Sequence, residues 1–249
     1  MSSIYSGSFC LSREENKSYR FGFTIVIGNL ESLLDYKYIL SSNEQNELNQ
    51  FKYKKRKSSF LLGRVSAKLA INQIHKEEDF QSITIGKGVF GFPIVKGVSE
   101  NIQVSITHCE DVGMSLAYNE EHPISIDVEK IDTNRISLIE KYISPTEVDL
   151  LNDHCSKEMG TFMAWTSKEA LSKILKTGLT LDFNIMSINK IEEIAEGIYV
   201  NTFLNFPQYK SYTFRANNMV CSIVTPEKSF FELDDVIDLK NKLKQTLEK

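Results

Sequence analysis

The segment Leu40-Ser-Ser-Asn-Glu-Gln-Asn-Glu-Leu-Asn49 lies over Ile143-Ser-Pro-Thr-Glu-Val-Asp-Leu-Leu-Asn152 at an offset of 103 residues. Each copy carries a serine followed three residues later by a glutamate, Ser41 with Glu44 and Ser144 with Glu147. At that spacing the two side chains cap each other's backbone amides at the start of a helix. In the second copy Pro145 occupies the first helical position, where its fixed φ is favourable. Further on, Arg64 and Lys68 fall over Glu169 and Lys173 at an offset of 105. Chance alone can produce a match this short, but the order of elements around it repeats as well.

In the first half, alternation in Phe21-Gly-Phe-Thr-Ile-Val-Ile27 reads as a strand. A helix follows from Ser41 to about Tyr53, and a second over residues 58–75, with Leu61, Leu62, Val65, Leu69 and Ile74 at helical spacing. Strands are expected at 82–85, 102–107 and 114–118, with the glycine-rich loop Gly86-Lys-Gly-Val-Phe-Gly-Phe-Pro93 between the first two. The second half repeats the series: a strand at 123–129, the Ser144 capping box, a helix over 162–176, and strands near 183–188, 198–203, 212–216 and 220–224. Residues 233–247 read as a terminal amphipathic helix. The pattern predicts an α+β fold of two similar α/β halves, 1–121 and 122–249, each with a small antiparallel sheet packed on helices.

Composition narrows the function classes. With 41% hydrophobic residues, 25% charged and only 5 prolines in 249, the chain suits a packed globular protein and not long disorder or collagen-like repeats. A net charge of −4 supplies no global basic field, so neither nucleic acid nor a membrane is an expected partner and any anion site must be local. No run approaches the roughly 18 apolar residues of a membrane span, and the start lacks a basic segment followed by an apolar one, so a cytoplasmic location is expected. Cys10, Cys109, Cys155 and Cys221 are too scattered for a zinc or redox pair and read as reduced thiols.

Two stretches carry candidate chemistry. In Ile124-Ser-Ile-Asp-Val-Glu129 the strand period places Ser125, Asp127 and Glu129 on one face, with the two carboxylates roughly 6.6 Å apart along the axis. Like charges held together favour a hard divalent cation between them; the alternative is an ordinary strand whose acidic face meets water. In Trp165-Thr-Ser-Lys-Glu-Ala-Leu-Ser-Lys173 helical spacing aligns Glu169, Lys173 and Lys176 on one face, away from Met163, Ala170, Leu171 and Ile174. The alternatives here are a surface Glu–Lys pair or a helix start capped at Thr166. No acid stands at the matching first-half places, Val26 and Arg64, so the acidic ligands are confined to the second half and suit a single site where the halves meet.

Taken together, Ser125-Ile-Asp-Val-Glu129 and Trp165-Thr-Ser-Lys-Glu-Ala-Leu-Ser-Lys173 resemble the paired motifs of the 4′-phosphopantetheinyl transferases. The likeness is to the larger two-lobed, surfactin-synthetase-activating class, which serves carrier proteins of nonribosomal peptide, polyketide and siderophore synthesis. Leu62-Gly-Arg64, Gly91-Phe-Pro93 and Ile106-Thr-His-Cys109 agree with it. The resemblance implies two lobes related by a pseudo-twofold axis in a monomer. It implies that Asp127, Glu129 and Glu169 hold Mg²⁺, or Mn²⁺ in its place, on the pyrophosphate of coenzyme A. A serine of an apo acyl or peptidyl carrier protein would attack, taking the phosphopantetheine arm and releasing 3′,5′-ADP. Lys173 would stabilise the leaving phosphate, and Arg64, Lys68, Thr107 and His108 would bind the nucleotide end.

Glu129, Glu169 or a metal-bound water would take the serine's proton. Without the family likeness, His108 reads as a hydrogen-bonded loop or core histidine. Ser125 stands where the family usually has glycine, and Phe92 where it has lysine, with Lys87 a nearby stand-in. Lys52-Tyr-Lys-Lys-Arg-Lys57 reads as a solvated helix face, or as a contact for those phosphates or an acidic carrier. The competing function is a non-catalytic coenzyme A or carrier-binding module of the same fold.

Overall fold

Both capping boxes form. Ser41 Oγ accepts from Glu44 N at 3.4 Å while Ser41 N donates to Glu44 Oε2 at 2.8 Å; Ser144 and Glu147 make the same exchange at 3.3 and 3.0 Å. They start two matching helix pairs in a computed structural model that describes residues 2–13, 17–76 and 79–248. The chain divides into two compact units, 1–123 with 231–249, and 124–230.

In the first unit, β1 (Ser3–Arg13) and β2 (Lys17–Ile27) form a long hairpin, followed by α1 (Leu30–Leu34), α2 (Ser42–Gln50) and α3 (Lys54–Ile74). Then come β3 (Thr84–Lys87) and β4 (Pro93–Lys96), which form a separate two-stranded sheet, and β5 (Ile102–Cys109) and β6 (Val112–Asn119). Four strands run antiparallel in the order β1-β2-β6-β5. Helix α3 packs across β2, β6 and β5 and buries Leu61, Leu62, Val65 and Ile71 there. It comes so close to β2 that a Cβ on Gly22 would stand 2.1 Å from the Ala70 carbonyl oxygen.

The second unit holds β7 (Ser125–Lys130), α4 (Ile136–Ile139), α5 (Pro145–His154), α6 (Lys157–Ile174), β8 (Ile188–Ala195), β9 (Ile198–Phe203), β10 (Tyr209–Ala216) and β11 (Met219–Pro226). Its sheet is antiparallel in the order β7-β11-β10-β9-β8, with α6 across β7, β11 and β10. Phe162, Met163, Leu171, Phe183, Phe203 and Val220 lie in one core between helix and sheet. The order strand, three helices, four strands is thus common to both units, an α+β architecture of small antiparallel sheets on helices.

Several expectations change. β1 was not anticipated, because its four serines and Gly7 interrupt the apolar alternation, leaving only Phe9 and Leu11 buried in phase. Residues 183–186 form a 3-10 turn, not a strand, because Asp182 accepts from the Asn184 amide and starts the turn; the strand begins at Ile188. The glycine loop is the tip of a hairpin, and Phe92 lies over Gly88, where an added Cβ would be 2.5 Å from its ring. The tail helix, α7 (Leu233–Leu247), belongs with the first unit: it packs on β1 and β2 and buries Val236, Leu239 and Leu243. No helix among the described residues is long and apolar enough to cross a membrane.

The helical alignment at offset 105 also changes. Lys68, not Arg64, is the informative residue of α3, and its counterpart is Lys168 and not Lys173. Lys68 Nζ lies 2.6 Å from Glu44 Oε2 and donates to the carbonyls of Ile39, Phe80 and Ile83; Lys168 Nζ lies 2.9 Å from Glu147 Oε2 and donates to the carbonyl of Tyr142. Each glutamate takes the amide of the following strand on its other oxygen, Ile85 on Glu44 and Ile188 on Glu147. Ser66 and Thr166 correspond likewise, each bonded to the carbonyl four residues back and to a strand serine, Ser115 or Ser222. Because Ser115 faces Thr24 and Ser222 faces Asp127, the first-unit places matching Asp127 and Glu129 are Thr24 and Val26, and Leu69 stands for Glu169.

Candidate carboxylate site

Strand β7 lies at the sheet edge and pairs with β11, Asp127 opposite Ser222 and Glu129 opposite Val220. The face carrying Ser125, Asp127 and Glu129 meets α6, so the acidic side is not an ordinary wet strand face. Ser125 Oγ donates to the carbonyl of Ala170 at 2.5 Å and ties strand to helix, a bond that glycine could not make. Asp127 is only 4% exposed. Lys173, one turn further along α6, donates from Nζ to Asp127 Oδ1 and to the Ile126 carbonyl, both at 2.8 Å.

Glu169 belongs to the same cluster. Burial, followed by the negative charge of Asp127, raises its carboxyl to about 7; Lys173 lowers it, Glu129 raises it further and Arg135 lowers it. The helix start that Thr166 could have marked lies ten residues earlier instead: Ser156 caps α6, and Thr166 is buried mid-helix on Ser222. The motif's other lysine, Lys168, is the buried anchor described above, a role that its place in the motif did not indicate.

Sequence reasoning missed Arg135. It ends a 3-10 turn, Thr133–Arg135, and its Nη1 donates to Glu129 Oε2 at 2.6 Å. Two cations are therefore interleaved with three carboxylates, and among the described residues no three or more acids, histidines or cysteines are gathered into a metal-ligand group. The donor chemistry fits a hard divalent cation all the same: three carboxylates supply oxygen only, and Glu169 retains its proton to near neutrality because it is buried beside the negative charge of Asp127.

Beside the same helix, Tyr142, Trp165, Thr180, Leu181, Asp182 and Phe183 line a cavity of about 330 Å³. The rings of Tyr142, Trp165 and Phe183 lie 5.3–6.0 Å apart, and Trp165 Nε1 is buried without a hydrogen-bond acceptor.

The expected nucleotide-binding residues belong to the first unit. Arg64 is 8% exposed, its guanidinium 4.5 Å over Phe60 and 3.6 Å from Glu44 Oε1, with Nε and Nη2 making no hydrogen bond. Lys68 is fully buried and surrounded by four oxygen atoms, so it acts as an internal anchor and has no surface on which to meet a nucleotide. Thr107 is buried and His108 exposed at the end of β5. Lys87 pairs with Glu47 at 2.9 Å. Lys54 opens α3, and the exposed run from Lys52 to Arg56 forms a solvated face there. All four cysteines are free thiols.

The sequence pattern of the 4′-phosphopantetheinyl transferase superfamily matches residues 123–224, nearly the whole of the second unit. A holo-[acyl-carrier-protein] synthase of Staphylococcus epidermidis is 30% identical over 107 residues, 39% of this chain and 92% of the relative. One from Staphylococcus carnosus is 28% identical over 108 residues, with the same coverage. The matched segment contains Asp127, Glu129, Glu169 and Lys173, and nearly the full length of these relatives is accounted for; the chain is a member of the 4′-phosphopantetheinyl transferase superfamily.

Proposed function

We propose that this chain transfers the 4′-phosphopantetheine group of coenzyme A to a serine of an apo acyl or peptidyl carrier protein, with Mg²⁺ or Mn²⁺, releasing 3′,5′-ADP. The observation that carries the reading is the partly buried cluster of Asp127, Glu129 and Glu169 with Lys173 inside the family-matched unit. The larger two-lobed class is supported by the first unit, which repeats the element order of the second outside the matched residues.

Asp127, Glu129 and Glu169 would hold the divalent cation. When bound, it would neutralise the pyrophosphate and favour departure of the nucleotide phosphate. Lys173, held between Asp127 and the Ile126 carbonyl, is restrained beside the carboxylates and meets the negative charge that develops on the leaving group. Glu129, Glu169 or a water on the cation would take the serine's proton. The aromatic cavity fits an uncharged arm bearing amide groups, whose carbonyl would satisfy Trp165 Nε1. Arg64 is nearly buried and paired with Glu44 and Glu47, so His108, with its exposed side chain, is the better placed of the two to meet an anion.

The test incubates the protein with apo carrier domains of fatty-acid, polyketide and peptide synthases, coenzyme A and Mg²⁺, and follows carrier mass. Gain of one phosphopantetheine group on a carrier serine is expected. A carrier that is bound yet never gains mass, across the whole panel, would leave a non-catalytic binding module.

A further inference from the structure

Neither motif calls for Arg135, yet its position is built. Asp132 Oδ1 accepts from the Asn134 amide and from Asn134 Nδ2, both at 3.0 Å, which tightens the turn. The turn brings Arg135 back over the strand the chain has just left, with Nη1 2.6 Å from Glu129 Oε2 and the guanidinium 5.9 Å over the ring of Phe162. Its charge also reaches Glu169.

The two cations of the cluster differ in anchorage. Lys173 is fixed on a helix and bonded to a backbone carbonyl as well as to Asp127, with its side chain 25% exposed. Arg135 stands on a three-residue turn with its side chain 38% exposed. A guanidinium and a divalent cation compete for the same carboxylate oxygens, and a planar guanidinium fork matches phosphate as well as carboxylate.

We propose that Arg135 is an exchangeable counter-ion: it neutralises Glu129 in the metal-free protein, yields that carboxylate to an incoming divalent cation, and then pairs with phosphate oxygens of the bound substrate. The inference rests on the proposed function for the cation and the phosphate. Arg135 is thereby a substrate-binding residue that also sets the affinity of the metal site.

The experiment titrates Mn²⁺ alone into the full chain and into Arg135→Gln, following free Mn²⁺ by its electron paramagnetic resonance signal. Arg135→Gln is expected to bind Mn²⁺ about 5- to 10-fold more tightly, because a competitor for Glu129 is gone. With Mn²⁺ saturating, coenzyme A should bind Arg135→Gln about tenfold more weakly, the scale of one charge-assisted contact. Arg135→Lys retains the charge without the fork; it should bind Mn²⁺ like the parent and coenzyme A more weakly.

Equal or weaker Mn²⁺ binding by Arg135→Gln, or undiminished coenzyme A affinity, overturns the exchange alone. Failure of all three folded proteins to bind Mn²⁺ overturns the carboxylate-site reading beneath it, and the exchange with it.

Discussion

Lys168 Nζ lies 2.9 Å from Glu147 Oε2 where each side chain is only 1% exposed. The glutamate of a helix-capping box is thus also the counter-ion of a lysine on the next helix, and through Oε1 it fixes the amide that opens β8. One carboxylate joins α5, α6 and the following strand. Lys68 and Glu44 do the same in the first unit, so the internal repeat is preserved as a buried ion pair.

Lys168→Met is expected to destabilise the second unit by about 3–5 kcal/mol, because it leaves Glu147 buried and unpaired. Urea unfolding followed by Trp165, the single tryptophan, reads this unit directly. Adding Glu147→Gln should recover part of the loss, since the uncompensated charge is then gone, although only one of the two amides, Ser144 or Ile188, keeps its acceptor. A double variant no more stable than Lys168→Met refutes this account.

Glu169 makes the metal-free protein less stable as pH rises. Its carboxyl titrates at about 7 when folded, against an ordinary value of 4.5, so the folded chain binds more protons between those values. The stabilisation is full below about pH 4.5 and is lost as pH rises through about 7, on the order of 3 kcal/mol. Glu169→Gln should flatten this slope in urea midpoints read without divalent cations. An unchanged slope would remove Glu169 as its source.

His122 acts in the opposite sense. Burial lowers its imidazole to about 4 despite a backbone hydrogen bond that raises it, and Arg13 lowers it further; the ring lies 4.5 Å from that of Tyr19. The unfolded chain binds the extra proton, so this stabilisation is present above about pH 6.5 and disappears as pH falls through about 4, again on the order of 3 kcal/mol. The imidazole proton resonances of His122 should titrate near 4; titration near 6.5 would contradict its burial.

Asp127→Ala and Glu169→Ala should each abolish carrier modification while the chain remains folded, as judged by circular dichroism and unchanged Trp165 emission. Each change removes a proposed metal ligand, and Asp127→Ala, which also strips Lys173 of its nearly buried partner, should lower stability more than Glu169→Ala. Undiminished Mg²⁺-dependent transfer in either variant refutes that assignment. Lys173→Ala should reduce turnover by about 10²-fold, the scale of one lost transition-state donor, with a much smaller change in stability. Activity equal to the parent would leave Lys173 as an ordinary ion-pair partner of Asp127.

Local chemistry settled much of this protein before any tertiary contact was considered. Two serine–glutamate pairs at capping spacing set the helix starts at Ser42 and Pro145, and the apolar period marked the tail helix from Leu233 to Leu247. The two-residue period placed Asp127 and Glu129 together, and the helical period placed Lys173 one turn beyond Glu169. These features are legible because each depends on residues only two to four apart. Packing decided the rest, because it depends on residues that are distant in sequence. Only the fold could show that Lys68 and Lys168 are buried anchors, that α7 belongs with β1 and β2, and that the Asp127 face lies against α6. Arg135 was invisible for the same reason: its contact with Glu129 depends on a turn whose geometry Asp132 and Asn134 impose, and no periodicity records that bend.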